Sequence, residues 1–284
     1  MSALRLLIVI AAVCLESLTA AAPQRIVSII PATTEMIFAM GEGARVVGVG
    51  NYDHFPEQVS GLPRVGGLLD PDVEKIIALR PDLVIVYATQ QELRERLERA
   101  GIPYYPYKHR GLADVTETIR DLGERLGASA RANAVALAIE RDLAAIRTSV
   151  AGLPRPRTLL VLGRDPSTLR NIFASGGVGF LHDMLEVAGG DDVYGDVKRE
   201  SVQVSTEMIL ARRPDVIIEL RYGDNAGAKD TSQDLDVWNA LGSVPAVKNH
   251  RIVALVGDEF VVPGPRVVDA TRQLSRALHS EPFK

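Results

Sequence analysis

The chain contains two similar copies of a short sequence, and the second copy begins 133 positions after the first. Residues 74–85 read EKIIALRPDLVI, and residues 207–218 read EMILARRPDVII. The copies align without a gap, and both place Arg-Pro-Asp between a stretch with helical spacing and an apolar run. This repeat constrains the fold more than composition does, because both halves of the chain must contain the same local unit.

Each copy predicts a short helix, a turn and a buried strand. Proline cannot continue a helix and moves the residue before it away from helical geometry, so the helix ends near the arginine. The run that follows is short and rich in β-branched residues, as in a parallel strand covered on both faces. Two copies of one α/β unit predict two similar lobes, and the cleft between lobes is a common place for a small ligand.

The first 21 residues have the pattern of a secretory signal peptide. Arg5 provides a positive charge, the stretch 6–15 is almost wholly apolar, and small residues lead to the expected cleavage site after Ala21. The apolar stretch is too short to span a bilayer, and an uncleaved anchor or a buried first helix is the alternative. Cys14, the only cysteine, would leave with the signal, so the mature chain is expected to have no thiol or disulfide.

Charge and hydropathy argue against several functional classes. The formal net charge is −4, and no cluster of basic residues is large enough to suggest a nucleic-acid partner. No second hydrophobic segment reaches membrane-spanning length. The polar stretch 223–234 is expected to form a mobile loop. A mature chain of about 260 residues accommodates two domains of ordinary size, and we expect a soluble, exported monomer.

Strand and helix signals alternate along most of the chain, which predicts an α/β fold with mostly parallel sheets. The expected architecture is two Rossmann-like lobes, 22–127 and 153–284, with a ligand cleft between them. Apolar residues recur at helical spacing within 128–152, which predicts a single long helix. Because a copy of the repeat lies on either side of it, this helix is expected to join the lobes. An ordinary surface helix of one lobe is the alternative. Thr33 or Thr34 is expected to cap the first helix.

Catalytic motifs are absent from the sequence. It has no phosphate-binding Gly-x-x-x-x-Gly-Lys loop, no complete Gly-x-Gly-x-x-Gly turn and no Gly-x-Ser-x-Gly elbow. None of the five histidines has a spacing typical of a metal site, although His54 lies in a loop after a predicted strand. No acid–base couple stands out. We therefore expect a protein that is not an enzyme, with an exported α/β hydrolase as the opposing hypothesis.

Aromatic residues in predicted loops are the best candidates for ligand contacts. Tyr52, Tyr87, Phe173 and Phe260 each follow a predicted strand, and ligands of open α/β sheets bind beyond the carboxyl ends of the strands. Flat aromatic faces suit a large conjugated ligand. The alternative is that these side chains belong to the cores of the lobes, and for Trp238 we expect core packing.

Several segments together resemble one protein family. They are Ile26–Glu35, Val46–Val49, both copies of the Glu…Arg-Pro-Asp repeat, Ala188–Gly190 and Pro265–Arg266. In these segments the chain resembles the periplasmic substrate-binding proteins of ABC importers for cobalamin, haem and ferric siderophores. The resemblance extends from Arg25 to about Leu278. It implies two α/β lobes joined by one rigid helix, a periplasmic location, no cofactor, and delivery of the bound ligand to an inner-membrane permease.

Within this family, the sequence around five residues is most similar to the cobalamin-binding members. In those members the equivalent positions line the cleft and contact the corrin. The matching residues of this chain are Tyr52, Tyr87, Phe173, Asp258 and Phe260. Two cleft tryptophans of those members are replaced by Leu68 and Ser201, so another corrinoid, haem or a ferric siderophore remains open as the ligand.

The alternative ligands differ in whether they need a protein ligand for the metal. Haem requires an axial tyrosine or histidine, for which Tyr52 and His54 are the candidates, whereas cobalamin requires none because its cobalt is already enclosed. The resemblance also implies that Glu74 and Glu207, equivalent residues of the repeat, dock on a permease dimer. Their other interpretation is structural, because the helix dipole favours a glutamate in the first turn.

Overall fold

The computed structural model describes residues 21–223 and 234–279, which form two sheets surrounded by helices. The strands of the first sheet are β1 (Ile26–Ser28), β2 (Val46–Val49), β3 (Leu83–Tyr87) and β4 (Tyr104–Tyr107). They are ordered β2-β1-β3-β4, and every pair is parallel. The first sheet therefore has the parallel arrangement that the sequence predicts.

The second sheet is mixed. Its strands are β5 (Arg157–Gly163), β6 (Ile172–Ser175), β7 (Asp191–Asp192), β8 (Ser201–Val204), β9 (Val216–Arg221) and β10 (Ile252–Val256). The order is β10-β9-β5-β6-β8, with the short β7 beside β5. β10, β9 and β5 run parallel, whereas β6 and β8 join in antiparallel fashion. The parallel part of this sheet contains the second copy of the repeat.

Helices cover the sheets. They are α1 (Pro31–Ala39), α2 (Val73–Ala78), α3 (Gln91–Arg99), α4 (Ala113–Arg125), α5 (Ser129–Ser149), α6 (Phe180–Val187), α7 (Thr206–Arg212), α8 (Pro245–Lys248) and α9 (Val267–Leu278). The predicted α/β architecture of two lobes is confirmed. No helix in the described ranges is long and apolar enough to cross a membrane.

The hydrophobic core continues from one lobe into the other. One cluster of buried side chains includes residues of β1 and β3, of α4, α5, α6 and α9, and of the inner face of β5 and β9. A second cluster covers the opposite face of the second sheet. Trp238 belongs to this second cluster and is completely buried, as predicted. A shared core restrains the two lobes relative to each other.

α5 connects the two lobes as one continuous helix. It follows α4, precedes β5 and has 21 residues, which corresponds to a length of about 31 Å. Ala132, Ala136, Ile139 and Ile146 are buried along its length. Its crossing with α4 is so close that a side chain at Gly123 would collide with Ala132. The small residues therefore let the two helices approach each other.

The two copies of the repeat adopt the same local structure. The Asp72 side chain accepts a hydrogen bond from the Lys75 N–H at the start of α2, and the Ser205 side chain accepts one from the Met208 N–H at the start of α7. Each side chain satisfies one of the free N–H groups of a helix start. An arginine with left-handed backbone geometry follows each helix. These residues are Arg80 (φ 47°) and Arg213 (φ 50°).

The aspartate of each Arg-Pro-Asp joins two neighbouring strands. Asp82 accepts hydrogen bonds from the backbone N–H groups of Gln24 and Arg25, both at 2.8 Å, and its own N–H donates to the Arg25 carbonyl. Asp215 accepts from the N–H of Arg157 at 3.1 Å and donates to the Arg157 carbonyl. These bonds fix the amino ends of β1 and β3 in one lobe and of β5 and β9 in the other.

The arginines that these aspartates hold also complete the repeated helices. Nη2 of Arg25 donates to the Leu79 carbonyl at 2.6 Å, and Nη2 of Arg157 donates to the Arg212 carbonyl at 2.7 Å. Leu79 and Arg212 are equivalent positions of the repeat. Each bond satisfies a carbonyl at a helix end that has no partner within its own helix.

Two local predictions were wrong. α1 begins at Pro31, before both predicted caps, because proline fits the first turn of a helix. The hydroxyl groups of Thr33 and Thr34 instead donate to the Ile30 carbonyl. Phe173 was expected in a loop after a strand but lies within β6. The signal-peptide pattern up to residue 20 and most of the polar stretch 223–234 lie outside the described residues.

We expect that replacing either repeated aspartate lowers stability. Asp82→Ala and Asp215→Ala each remove charge-assisted hydrogen bonds to backbone N–H groups, which should lower the free energy of unfolding by about 1–3 kcal/mol. The two losses should add, because the sites lie in different lobes. Urea unfolding measures both, and Glu124→Ala, which removes an exposed carboxylate of α4, is the control. Unchanged unfolding midpoints in both single variants would show that these hydrogen bonds do not stabilise the fold.

Candidate ligand-binding cleft

The carboxyl ends of the strands in both sheets carry candidate ligand residues. Tyr87 ends β3 and Tyr52 follows β2, whereas Phe173 in β6 pairs with Gly163 at the end of β5. Tyr52 and Phe173 are 69% and 43% exposed, which is unusual for aromatic side chains. Ligands of open α/β sheets bind at this edge. The structure therefore leaves aromatic faces available there in each lobe.

One ion pair and one histidine–carboxylate contact connect the lobes on the side of β2 and β10. Nη2 and Nε of Arg266 donate to the two carboxylate oxygens of Glu35 in α1, at 2.5 and 3.0 Å. Nδ1 of His54 lies 3.0 Å from Oδ2 of Asp258, which follows β10. The Arg266 guanidinium also lies 4.3 Å from the centroid of the Phe55 ring. These contacts hold the carboxyl ends of the two sheets close together.

A chain of aromatic rings connects the lobes on the opposite side. The Tyr87 ring packs edge-to-face on Tyr107, Tyr107 packs on His109, and His109 packs on Phe180 of α6, with centroid distances of 5.6, 5.7 and 5.8 Å. Burial lowers the pKa of His109 and raises that of Tyr87. Tyr87 is therefore partly a structural residue, because its ring begins the series that ends in the second lobe.

A glutamine connects the end of β3 to the loop 66–71 of the first lobe. Oε1 of Gln90 accepts from the Tyr87 N–H at 2.8 Å, and Nε2 of Gln90 donates to the Leu68 carbonyl at 2.7 Å. A side chain at Gly67 would come within 3.3 Å of the Tyr52 ring, so glycine leaves room for that ring. The loop 66–71 therefore contacts both the turn after β3 and the Tyr52 ring.

A cluster of four charged side chains lines the wall of the second lobe, around a cavity of about 390 Å³. Arg164 donates to Glu219 at 2.6 Å and to Asp234 at 3.0 Å, and Arg221 donates to the same carboxylates at 3.1 and 2.7 Å. Nε1 of Trp238 donates to Glu219 at 2.6 Å. Sequence reasoning missed this cluster, although a glutamate within the apolar run of β9 was a signal for it.

Asp258 and Phe260 lie in different environments despite their proximity in sequence. The 3₁₀ turn Asp258–Phe260 directs the Phe260 ring into the core, where it is completely buried. The expectation that Phe260 lines the cleft is therefore not met. Asp258 is partly exposed, and Oδ1 accepts from the Gly223 N–H at 2.9 Å while Oδ2 faces His54. Burial alone would raise the pKa of Asp258, but the bonds from Gly223 and His54 lower it.

The two repeated glutamates are exposed in the first turns of α2 and α7. Three residues after each glutamate, on the same side of the helix, stands a partly exposed aliphatic side chain. The equivalent pairs are Glu74 with Ile77 and Glu207 with Leu210, and these aliphatic side chains are 41% and 39% exposed. Hydrogen bonding to Ser205 lowers the pKa of Glu207. Each lobe therefore exposes one glutamate beside one aliphatic side chain at equivalent positions of the repeat.

Asp53 is a buried acid in the loop that carries Tyr52 and His54. Neither carboxylate oxygen has a hydrogen-bond partner among the described residues. The hydroxyl hydrogen of the nearby Thr34 is already shared between the Ser28 hydroxyl and the Ile30 carbonyl. Burial raises the pKa of Asp53 to about 7, although the Arg64 charge acts in the opposite direction.

Within the described ranges, no group of three or more His, Cys, Asp or Glu side chains is arranged to hold a metal ion. The cleft instead offers aromatic faces, paired charges and one exposed histidine. Such a surface suits the binding of a preformed molecule.

Comparison with known proteins identifies the family. Residues 26–258, most of the chain, match the model for periplasmic binding proteins. The chain belongs to the periplasmic binding protein family. This family consists of solute-binding proteins of ABC transporters and not of enzymes, and its members bind their ligands as cargo rather than as cofactors. The hypothesis of an α/β hydrolase is therefore wrong.

Individual relatives match more than nine-tenths of the chain. The vitamin B12-binding protein of Salmonella typhimurium is 29% identical over 260 residues, covering 91% of each chain. The vitamin B12-binding protein of Vibrio cholerae has a similar structure, with a TM-score of 0.76 and 26% identity over 93% of this chain and 99% of that one. The haem-binding protein of Roseiflexus gives a TM-score of 0.75 and 26% identity over 91% and 99%.

The buried acid predicts a dependence of stability on pH. Because the pKa of Asp53 is raised to about 7, from 3.8 in the unfolded chain, the folded state binds the proton more tightly. Its contribution to the free energy of unfolding should therefore fall as pH rises from 4 to 7, by at most about 1.4 kcal/mol per pH unit. Asp53→Asn should flatten this part of the profile, as measured by urea unfolding at several pH values. An unchanged slope in the variant would contradict a buried, protonated Asp53.

Proposed function

We propose that this protein is the periplasmic substrate-binding subunit of an ABC importer, and that its cargo is cobalamin or a related corrinoid. The main observation behind this proposal is that the arginines at the cleft already form ion pairs with carboxylates of the protein. Arg164 and Arg221 are paired with Glu219 and Asp234, and Arg266 is paired with Glu35. Arginines held in this way have little capacity left for an anionic ligand.

The argument from charge favours corrinoids over haem. Haem carries two carboxylates, which would have to compete with a protein carboxylate for each of these arginines. Removing one partner of a buried pair leaves an uncompensated charge, which costs several kcal/mol, about 3–5 in typical cases. The amide side chains that surround a corrin are neutral, and they form hydrogen bonds without separating such pairs. Ferric siderophores with anionic groups meet the same obstacle as haem.

The aromatic residues and the relatives support the same assignment. Exposed rings in both lobes, Tyr52 and Phe173, offer flat surfaces to a macrocycle. Two of the reported relatives are vitamin B12-binding proteins, one compared by sequence and one by structure. We assign Tyr52, Tyr87 and Phe173 to ligand contact. Asp258 and Phe260 are left out of that set because the first is hydrogen-bonded within the protein and the second is buried.

Haem or a ferric chelate is the second candidate, and one observation favours it. Tyr52 and His54 lie two residues apart on an exposed loop, where either side chain is able to reach the metal of a bound tetrapyrrole. A structurally similar relative binds haem. Calorimetric titration of the purified protein with cyanocobalamin and, separately, with haem decides between them. Binding of haem alone would reject the corrinoid assignment.

Truncation of the exposed rings tests the proposed cleft. Tyr52→Ala and Phe173→Ala should each weaken cyanocobalamin binding by about two- to tenfold, because a stacked ring contributes about 0.5–1.5 kcal/mol beyond its buried area. Leu137→Ala is the matched control, since Leu137 is 60% exposed on α5 and outside the cleft. The dissociation constant is measured by calorimetry and folding by urea unfolding. Equal affinities in the two ring variants and the control would place the ligand elsewhere.

We further propose that the protein is exported and docks on a permease dimer through the two copies of the repeat. Glu74 and Glu207 are exposed at equivalent places, each beside an aliphatic side chain. A permease built from two identical subunits presents the same receptor surface twice. A protein with an internal repeat is able to engage both copies with similar surfaces. Charged contacts of this kind increase the rate of encounter and fix the orientation.

A double substitution tests the docking. Glu74→Ala combined with Glu207→Ala should leave ligand affinity unchanged but reduce cobalamin uptake in cells, with a smaller loss for each single change. The control is Glu117→Ala with Glu124→Ala, which removes two exposed carboxylates of α4 and changes the net charge equally. Uptake of labelled cobalamin is compared at equal periplasmic protein levels. Normal uptake in the Glu74→Ala and Glu207→Ala double variant would show that both glutamates only stabilise the starts of their helices and do not dock on the permease.

A further inference from the structure

His54 is held in a defined orientation by a residue of the other lobe. Its Nδ1 lies 3.0 Å from Oδ2 of Asp258, and Oδ1 of Asp258 accepts a hydrogen bond from the Gly223 N–H at 2.9 Å. The carboxylate is therefore fixed from both sides. A carboxylate bound to one ring nitrogen selects the tautomer with the proton on that nitrogen and orients the ring, as it does for histidines that bind metals.

The other nitrogen of this ring is available. Nε2 of His54 has no hydrogen-bond partner among residues 21–223 and 234–279, and the side chain is 54% exposed. The chain contains a second pair of the same kind, His182 with Asp192, but there the histidine side chain is only 18% exposed and belongs to the interior of one lobe. Of the two pairs, only His54 combines a fixed Nδ1 with an accessible Nε2.

The location limits what this nitrogen is able to bind. His54 lies two residues after Tyr52, on the loop that follows β2, and its carboxylate partner follows β10 in the second lobe. A free metal ion needs several protein ligands, and the described residues provide no such group here. A metal that is already enclosed by a macrocycle needs only one more donor, on its axis.

We propose that Nε2 of His54 binds the cobalt of a corrinoid whose upper axial ligand is exchangeable. This inference rests on the proposed function and adds a selection among corrinoids. Water on the cobalt of aquocobalamin leaves as the lone pair of the neutral imidazole enters, so one bond breaks and one forms. The oxidation state of cobalt does not change, and the proton on Nδ1 stays with the hydrogen bond to Asp258.

Two consequences follow for specificity. Cyanocobalamin carries a cyanide that imidazole does not displace, so it binds only through the aromatic rings and polar contacts of the cleft. Aquocobalamin gains the additional cobalt–nitrogen bond and should bind more tightly. Asp258 acts as a positioning residue, because its oxygens contact His54 and the Gly223 N–H.

The experiment compares the two corrinoids by calorimetry and visible spectroscopy. We expect the wild-type protein to bind aquocobalamin at least about tenfold more tightly than cyanocobalamin and to shift the visible bands of aquocobalamin as an imidazole ligand does. His54→Ala should remove both the preference and the shift, so that this variant binds the two corrinoids with equal affinity. Asp258→Asn should retain the shift but weaken aquocobalamin binding by about 10-fold or more, the usual cost of losing a carboxylate that orients a metal-binding histidine.

Two control variants make the result specific to His54. His250→Asn removes an exposed histidine that precedes β10 and therefore lies at the opposite edge of the sheet. It should behave as the wild type. Tyr52→Phe removes the competing hydroxyl and keeps the ring, so the spectral shift should persist. A shift that disappears in Tyr52→Phe and persists in His54→Ala would assign the cobalt ligand to the tyrosine and overturn the proposal.

The outcomes separate this inference from the proposed function. If cyanocobalamin binds and the spectrum of bound aquocobalamin is that of the free compound, the corrinoid function stands and ligation by His54 is wrong. If neither corrinoid binds, both proposals are wrong. Equal affinity for the two corrinoids in the wild type, without a spectral shift, likewise overturns the ligation.

Discussion

The architecture depends on one hydrogen-bonding arrangement that occurs once in each lobe. The aspartate of Arg-Pro-Asp accepts backbone N–H bonds from the start of the neighbouring strand, through Asp82 in one lobe and Asp215 in the other. These bonds fix strand order and register at the amino ends of the central strands. At their carboxyl ends the strands lead into the loops that carry the candidate ligand residues. Because the repeat supplies these bonds at the amino ends of the strands, both lobes keep it, whereas the loops at the carboxyl ends differ between the lobes.

The cleft is restrained from three directions. α5 joins the lobes as an uninterrupted helix, the Glu35–Arg266 pair connects them near β2, and the rings from Tyr87 to Phe180 connect them near β4. A cleft that is already held in place loses little conformational freedom when a rigid ligand enters. Its selectivity therefore depends on which groups it leaves without partners, since groups already paired offer a ligand little. Paired arginines disfavour anions, while exposed rings and the Nε2 atom of His54 remain available.

The sequence predicted those parts of the structure that local chemistry determines. The proline and the β-branched run of each repeat copy placed β3 and β9, and helical spacing placed α5 within 128–152. The start of α1 was missed because proline at the first turn competed with the threonine caps. Phe260 was misplaced because its direction depends on a 3₁₀ turn that packs under α9. The cluster around Glu219 was missed because its ion pairs join residues far apart in sequence, and local patterns do not record such partners.

The buried charges of the cleft are better explained by selectivity than by stability. Replacing a buried ion pair with apolar residues of similar volume often leaves stability unchanged or improves it, so four charges around one cavity are a poor way to strengthen the second lobe. Asp53 does not stabilise the fold either. It is an unpaired buried carboxyl whose pKa is raised to about 7, and it lowers stability once it ionises. All of these groups lie beside loops that reach the cleft, and the interlobe pair of Glu35 and Arg266 lies there as well. Under the proposed function, this common location accounts for their cost in stability, because there a neutral corrinoid has to be distinguished from an anionic ligand.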